Sequence, residues 1–212
     1  EATTAQLAQL RDQAIVAGRD TAFSASDAAT AQTELAKAGV SLQDIMSGGL
    51  TGSLSLAAAG QLDLGRAAEI ASAAMNTWKL SGDQTTRIAD TLAAGANKSA
   101  TDVEQLGQAI TQGGLAASNL NIGMEDTVGV LSMFAQRGLQ GSDAGTSLKT
   151  MLQRLVPQSE EAAKAMDAMG LSFFDSNGKF VGLGEASGRL QAALAPLTEE
   201  QRALALNTIF GA

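Results

Sequence analysis

The 212-residue sequence contains no histidine, cysteine or tyrosine and only two prolines. Without histidine and cysteine it cannot form a Ser-His-Asp triad, a thiolate nucleophile or a zinc site with thiolate or imidazole ligands. Disulfides are excluded as well, so a packed core must hold the fold together. Carboxylates, hydroxyls, Lys and Arg are the reactive groups that remain, and most catalytic chemistry is therefore excluded.

Aromatic and β-branched residues are also scarce. Aromatic side chains make up 3% of the chain, and 7 Val and 7 Ile stand against 41 Ala and 26 Leu. Ala and Leu favour helices, whereas the β-branched residues that favour sheets are few. The composition predicts a mainly helical protein and argues against an all-β fold.

Positive charge is in short supply, because 14 Lys and Arg oppose 22 Asp and Glu for a net charge of −8. Nucleic-acid binding is not expected, since it depends on neutralising phosphates with Lys and Arg. No apolar run approaches the roughly 18 to 20 residues of a membrane-spanning helix, and the densest run, 54–59, is short. No secretory leader follows Glu1, and we expect the chain to be an internal piece of a longer protein.

The 23 glycines divide the sequence into segments of helical length. Gly39, Gly138 and Gly170 are each followed by an apolar residue, which is typical of a glycine that ends a helix. Helix starts are predicted where a hydroxyl precedes an acceptor side chain by three residues, at Ser24/Asp27, Ser41/Asp44, Ser81/Gln84, Ser99/Asp102 and Thr198/Gln201. These signals predict helices at residues 3–17, 25–38, 42–47, 50–59, 64–79, 82–96, 100–112, 124–137, 143–156, 158–169, 185–195 and 199–210.

Residues 171–181 depart from the helical pattern. They hold three of the six phenylalanines around Asn177-Gly178, the pair best suited to the positive φ angles of a tight hairpin turn. We therefore predict a mainly α fold, a compact bundle of short, glycine-punctuated helices with one small β-hairpin near residues 172–181. The aromatic face of the hairpin should pack on neighbouring helices or on a partner, because an isolated hairpin is marginally stable.

Two glycine-rich stretches superficially resemble nucleotide-binding loops. In residues 141–150, three residues separate the second glycine from the lysine, and a helix precedes the stretch where a phosphate loop requires a strand. Residues 182–188 miss the dinucleotide fingerprint by one position and lack a βαβ context. We interpret the first as a loop leading into a helix capped by Ser142 or Asp143, and the second as a turn into a helix.

Two further candidates for ligand binding have structural interpretations that we prefer. Asp175, Ser176 and Asn177 offer oxygens to a calcium ion, but a calcium loop needs about five to seven ligands ending in a bidentate Glu. A hairpin turn explains the same residues. Trp78 ends an apolar helical stripe and is interpreted as a packing residue rather than a platform for ligand stacking.

Paired carboxylates are the last candidates for chemistry. Two acids that flank a bond can hydrolyse a glycoside. The sequence has three candidate pairs of adjacent carboxylates. Each pair falls in the first turn of a predicted helix, where negative charge meets the positive end of the helix dipole. We assign no catalytic, cofactor-binding or metal-ligating residue, and we give a structural role to Glu125-Asp126, Glu160-Glu161 and Glu199-Glu200.

Residues 34–41 weakly resemble residues 133–140, which begin 99 positions later, and we call this internal similarity the echo. Both segments end a predicted helix with a basic residue near a glycine and then an apolar residue. Two related helical subdomains would produce this likeness. We favour the simpler explanation that one helix-termination signal is used twice.

Several separated stretches resemble the core region of the tape measure proteins of tailed phages. The similarity runs from about residue 20 to the end of the chain, in order and without large gaps. It includes no chemical motif. The matching blocks are residues 54–64, 67–71, 89–103, 124–127, 138–148 and 173–180.

The resemblance implies a structural protein of a phage or prophage tail, without enzymatic activity or cofactors, in the tail lumen of the virion. Members of that family set tail length during assembly and leave ahead of the DNA during ejection. The implied partners are tail tube and tail tip proteins, an assembly chaperone and further copies of the chain. Sequence recognition of nucleic acid is not implied, and membrane contact would come only through other parts of a full chain.

Within this family we expect an N-terminal helical linker at residues 1–19, a helical tape-measure core at 20–156, and C-terminal helices with the hairpin at 157–212. Glycine stops about every fifteen residues exclude one continuous helical rod. We therefore expect a compact module for docking or assembly. Two alternatives stay open, a membrane-active helical bundle and a carboxylate-based cell-wall hydrolase.

Overall fold

The computed structural model describes residues 3–211, and most of these residues lie in helices, so the mainly α prediction is confirmed. Residues Ile45–Gly49 join α3 to α4 through a kink at Gly48, whose backbone angles are not helical, and a 3₁₀ turn, Gly82–Gln84, leads into α6. Residues 1, 2 and 212, which begin and end the predicted divisions, lie outside the described residues. The helices are α1 Thr4–Asp20, α2 Ala25–Lys37, α3 Leu42–Asp44, α4 Leu50–Gly60, α5 Leu64–Trp78, α6 Thr85–Asn97, α7 Val103–Asn119, α8 Met124–Ala135, α9 Gly141–Gln153, α10 Glu160–Ala168, α11 Leu183–Leu194 and α12 Glu199–Phe210.

The helix starts follow the capping signals at four of the five predicted places, which are those of Ser24, Ser41, Ser81 and Thr198. The start predicted from Ser99 and Asp102 is wrong. The Ser99 hydroxyl donates back to the carbonyl of Gly95 at 2.7 Å, so it belongs to the end of α6. Asp102 is itself the N-cap of α7 and accepts the amide of Gln105, also at 2.7 Å.

The helix-ending role of three glycines is confirmed. Gly39, Gly138 and Gly170 have φ angles of +85°, +83° and +60°. In each case the amide of the next residue donates to a carbonyl five residues earlier, at 2.9 to 3.0 Å. These bonds satisfy carbonyls that the helix end would otherwise leave free, and they turn the chain back on itself.

The helices between residues 25 and 153 form two rows. In the first row α2, α5, α7 and α9 pack side by side, and α4, α6 and α8 form the second row against them. The N-cap residues of the first row lie 39, 39 and 38 positions apart, at Ser24, Asp63, Asp102 and Gln140. Successive units therefore repeat a helix pair, as in α-solenoid proteins.

Polar contacts at a constant sequence distance join neighbouring units. Each links a helix, or the turn beside it, to the next unit along the row. Five such pairs lie 38 positions apart, at Ala38–Asn76, Asp44–Gly82, Arg66–Glu104, Arg87–Glu125 and Lys98–Gln136. The echo between 34–41 and 133–140 does not follow this period, because the first segment ends α2 in one row and the second ends α8 in the other. Both segments end a helix at a glycine with positive φ, Gly39 and Gly138, which agrees with the termination signal that we favoured.

Small residues let the two rows approach closely. Ala67, Ala68, Ala71 and Ala74 of α5 are fully buried. Many such contacts, each modest in area, build the core in place of a few large aromatic ones. No helix within residues 3–211 combines the length and the apolar character needed to cross a bilayer.

Glycine also brings helices into backbone contact, and one predicted helix end is wrong for this reason. α7 continues to Asn119, whereas the sequence predicted an end at residue 112 before two glycines. A Cβ on Gly113 would lie 2.5 Å from the carbonyl oxygen of Gly145 in α9, and a Cβ on Gly145 would overlap the carbonyl of Ala109. The absence of side chains here serves the crossing of α7 and α9 rather than a turn.

The β-hairpin predicted near residues 172–181 is not present as strands. Within the described residues this segment forms one isolated antiparallel bridge, between Phe174 and Phe180. Gly178 has a positive φ of +75°, but Asn177 does not, so the connection is not the two-residue Asn-Gly turn that was predicted. The bond from the Gly178 amide to the carbonyl of Asp175, at 3.0 Å, closes a longer turn in its place.

The aromatic residues of this segment do pack on helices, as expected. Phe173 is buried, and its ring centroid lies 6.3 Å from that of Phe210 in α12. Phe174 and Phe180 meet edge to face at 6.1 Å. We call residues 171–181 the phenylalanine loop, because aromatic packing, and not a strand ladder, holds it.

Candidate functional site

The carboxylate pairs lie in the first turns of helices, where they were predicted. They begin α8, α10 and α12. Glu125 contacts Arg87 at 2.6 Å, and Glu160 contacts Lys164 at 3.6 Å. In the part of the chain that the structure describes, acidic side chains form no group of three or more that could hold a metal ion.

Asp175, the acid of the candidate calcium loop, is engaged by the backbone. Its Oδ1 accepts the amides of Asn177 and Lys179, both at 2.9 Å. These bonds, that of Lys179 first, hold the pKa of Asp175 below its ordinary value. The carboxylate therefore closes a turn, in agreement with the interpretation preferred from the sequence.

The two glycine-rich stretches lead directly into helices. α9 begins at Gly141, whose φ is +58°, and its N-cap is Gln140, which makes no side-chain capping bond. The predicted cap at Ser142 or Asp143 is wrong, because the positive φ of Gly141 turns the chain into the helix two residues earlier. Gly182, with φ +91°, precedes α11, as a turn into a helix requires.

Trp78 connects three helices. Its indole Nε1 donates to the carbonyl of Ile122 at 2.9 Å, in the turn between α7 and α8. A Cβ on Gly114 would lie 3.2 Å from the ring, so the indole packs on α7. Both contacts support the packing role inferred from the sequence.

An ion-pair network between α5 and α7 was not predicted. Arg66 donates to both oxygens of Glu104, at 2.9 Å from Nε and 2.8 Å from Nη2, and to Glu69 at 2.7 Å. The hydrogen bond from Arg66 lowers the pKa of Glu104 below its usual range. The signal that could have found this pair is the 38-residue distance, which becomes visible only when the helix-pair period is known.

The surface of α8 lies between two concavities. A groove of about 410 Å³ separates α8 from α6 and is lined by Gly129 and Met133. A second cavity, of about 440 Å³, lies between α8, α9, α11 and the phenylalanine loop, and most of its lining is apolar. Met133 borders both and is 59% exposed. Met133 therefore offers an exposed apolar side chain beside an apolar cavity, where a ligand or protein segment could contact it.

Two residues four positions apart define this surface, and we call Gly129 and Met133 the α8 face. Residues spaced by four lie on one side of a helix. A Cβ on Gly129 would meet nothing within 4 Å, in contrast to Gly113. Arg137, in the turn that follows α8, is exposed and forms no ion pair within residues 3–211. The α8 face is the best candidate for a functional site, and its chemistry is that of contact rather than reaction.

Comparison with known proteins gives one family. Residues 11–211 match the family described as phage-related minor tail protein. The chain is 32% identical over 210 residues to a tape measure protein of Pneumococcus phage Dp-1, covering 99% of this chain and 18% of that protein. It is 30% identical over 210 residues to a probable tape measure protein of Escherichia phage P2, covering 98% and 26%. The chain therefore spans about a fifth to a quarter of these relatives, and no solved structure matches it.

Proposed function

The chain belongs to the family of phage-related minor tail proteins, and from this premise we propose that it is a structural module of a tape measure protein in a phage tail. The role is one of shape and contact, without catalysis. The carrying observation is a folded stack of helix pairs that presents the α8 face, in a chain without histidine or cysteine.

The finer role follows the resemblance to tape measure proteins. We propose that the module lies in the lumen of the virion tail, contributes to tail length and leaves ahead of the DNA at ejection. Its proposed partners are tail tube and tail tip proteins, an assembly chaperone and other copies of itself. The exposed apolar residue on the α8 face supports protein contact, and the net charge of −8 argues against direct binding to DNA.

The helix lengths support a docking module over a rigid length standard. A continuous helix of this chain would span about 320 Å at roughly 1.5 Å per residue. The longest helices described, α1 and α7, have 17 residues each; α1 packs on α2, and α7 lies in the first row. We propose that other parts of a longer protein provide the extended span, while this part makes the contacts.

We propose that the chain is divided into three regions, close to those expected from the sequence. The two rows occupy residues 25–153, inside the proposed core at 20–156. The proposed N-terminal helical linker keeps its bounds of 1–19, and the helix α1, Thr4–Asp20, which packs on α2, supports its helical character. The phenylalanine loop and the last three helices form the C-terminal part, within 157–212.

Measuring tail lengths by electron microscopy after deleting this module from the encoding phage tests the proposal. A docking module predicts that tails fail to form or have irregular lengths. As a matched control, a segment of equal length is deleted elsewhere in the protein, where an extended span should shorten tails by about 320 Å. Tails shortened uniformly by that amount after deletion of this module would contradict the docking role.

The absence of catalysis has a separate test. Purified chain incubated with peptidoglycan should release no soluble fragments, because its three pairs of adjacent carboxylates lie in the first turns of separate helices. A muramidase assayed in parallel provides the positive control. Sustained release of fragments by the chain would support the carboxylate-based hydrolase.

A further inference from the structure

We propose that the cavity between α8, α9, α11 and the phenylalanine loop binds a fatty acid, with the acyl chain inside and the carboxylate at Arg137. We call it the phenylalanine cavity. Its volume of about 440 Å³ falls within the roughly 300 to 1,000 Å³ of small-molecule sites. The proposal names a ligand, and it does not rest on the proposed role in a phage tail.

Aromatic side chains are concentrated around the phenylalanine cavity. Aromatic residues make up 3% of the chain, yet four of its six phenylalanines line this one cavity. Met133 and Met151 extend the apolar wall, and their flexible thioether side chains adapt to the shape of an apolar guest. The four aromatic residues come from α8, the phenylalanine loop and α12, and are Phe134, Phe173, Phe180 and Phe210.

The apolar walls of the cavity lack packing partners. Protein interiors are packed closely, and voids larger than a water molecule are few. Leu152, Leu155 and Phe173 are buried and line the cavity, so part of their surface makes no contact within the described chain. Apolar voids of this kind take up apolar molecules in preference to water. An acyl chain would restore the missing contacts.

Arg137 supplies the one charge among the described residues that line the cavity, and Ser187 is the only other one with a polar side chain. The guanidinium of Arg137 forms neither an ion pair nor a hydrogen bond within residues 3–211, whereas Arg66 and Arg189 pair with carboxylates. A guanidinium binds a carboxylate through two parallel hydrogen bonds. An unpaired arginine at the edge of an apolar cavity therefore favours an anion with an apolar body.

The distribution of polar groups favours a fatty acid over a peptide. Every residue of a peptide brings a backbone N–H and a carbonyl, which are costly to bury without partners. The side chains that line the cavity offer hydrogen bonds only from Arg137 and Ser187. A fatty acid has all its polar atoms in one group at one end, so it can satisfy them at Arg137 and bury the rest of the molecule.

The cavity lies where the C-terminal part of the chain meets the two rows. α8 and α9 form one side, and the phenylalanine loop, α11 and α12 form the other. A ligand in the cavity contacts both sides, and a ligand that binds only the folded chain stabilises it by mass action. Fatty-acid binding should therefore raise the Tm of the chain.

Isothermal titration calorimetry of the purified chain with decanoate tests the site. We expect saturable binding of one decanoate per chain. From hexanoate to octanoate to decanoate, each added methylene should tighten binding about fourfold, because each is removed from water. Decyltrimethylammonium, which has the same chain and the opposite charge, is the matched probe. Equal binding of the two probes, or no saturable binding of decanoate, would overturn the proposal.

Replacing the arginine tests the contact with the carboxylate. Arg137→Gln should weaken decanoate binding by about tenfold and leave binding of the neutral decanol unchanged, because only the charged contact is lost. Arg202→Gln is the matched control, since Arg202 is an exposed arginine of α12 that does not line the cavity. Decanoate binding that is unchanged in Arg137→Gln, or weakened equally in both variants, would show that Arg137 does not hold the carboxylate.

Filling the cavity gives a test that does not depend on charge. Gly184 and Gly188 both lie in α11, and a Cβ on either would meet nothing within 4 Å, but only Gly184 lines the cavity. Gly184→Leu should abolish decanoate binding, because the leucine occupies the space of the acyl chain, and Gly188→Leu should leave it unchanged. Unchanged binding in Gly184→Leu, or equal loss in both variants, would contradict the assigned cavity. These measurements use no tail, so their failure leaves the proposed tail function to its own deletion test.

Discussion

The crossing of α7 and α9 and the groove between α6 and α8 show two different uses of glycine. At the crossing, Gly113 and Gly145 let two backbones touch, and a Cβ on either would overlap its neighbour. In the groove, Gly129 has open space where a Cβ would stand. All three glycines lie inside helices, Gly113 and Gly145 in the first row and Gly129 in the second. The residue type alone therefore does not distinguish a close internal contact from an open surface.

Adding a side chain where α7 and α9 cross has the largest expected effect on stability. Gly145→Gln should lower the free energy of unfolding by about 3 kcal/mol, because a side chain must displace the backbone of α7. Thermal unfolding followed by circular dichroism should show a fall in Tm of roughly 6 to 12 °C for a chain of this size. An unchanged Tm would mean that α7 and α9 do not meet as described.

A side chain added at Gly129, in the groove, should stabilise the fold instead of destabilising it. Gly129→Ala should raise the free energy of unfolding by about 1 kcal/mol, since alanine is the better helix former and no neighbour opposes it. The measurement is urea unfolding followed by circular dichroism. Destabilisation by this change would indicate that Gly129 has an internal contact after all.

Removing the ion pair between α5 and α7 should have the smallest effect of these three changes. Glu104→Gln should cost about 0.5 kcal/mol at neutral pH, because the pair with Arg66 is partly exposed to solvent. Arg66 lowers the folded-state pKa of Glu104, so the stabilisation is present above the ordinary pKa of a glutamate and is lost as pH falls through the folded-state value.

Comparing the unfolding free energies of the wild-type and Glu104→Gln chains from pH 7 downward tests this linkage. The difference between them should shrink on acidification and vanish below the folded-state pKa. A difference that grows as pH falls would show that Glu104 is stabilised in its protonated form.

Local signals predicted the helices well but not their arrangement. Four hydroxyl caps and the three helix-ending glycines act through atoms within about five residues, so the sequence alone reveals them. Gly113 was misread as a helix end because its partner, Gly145, lies 32 positions away in another helix.

The phenylalanine loop and the candidate site required the tertiary structure for the same reason. The Asn177-Gly178 pair favours a hairpin locally, but packing of Phe173 on Phe210 and the bonds to Asp175 decide the outcome. Nothing around Met133 in the sequence distinguishes it from a core residue of α8. Its exposure appears only when the positions of α6 and α11 are known.

The central claim is that this chain is a compact module and not a segment of a rod. Small-angle X-ray scattering of the purified chain, extrapolated to zero concentration, tests it most directly. The account predicts a radius of gyration of about 17 to 20 Å, as for a folded domain of this length. A value approaching the roughly 90 Å of a single continuous helix would contradict it.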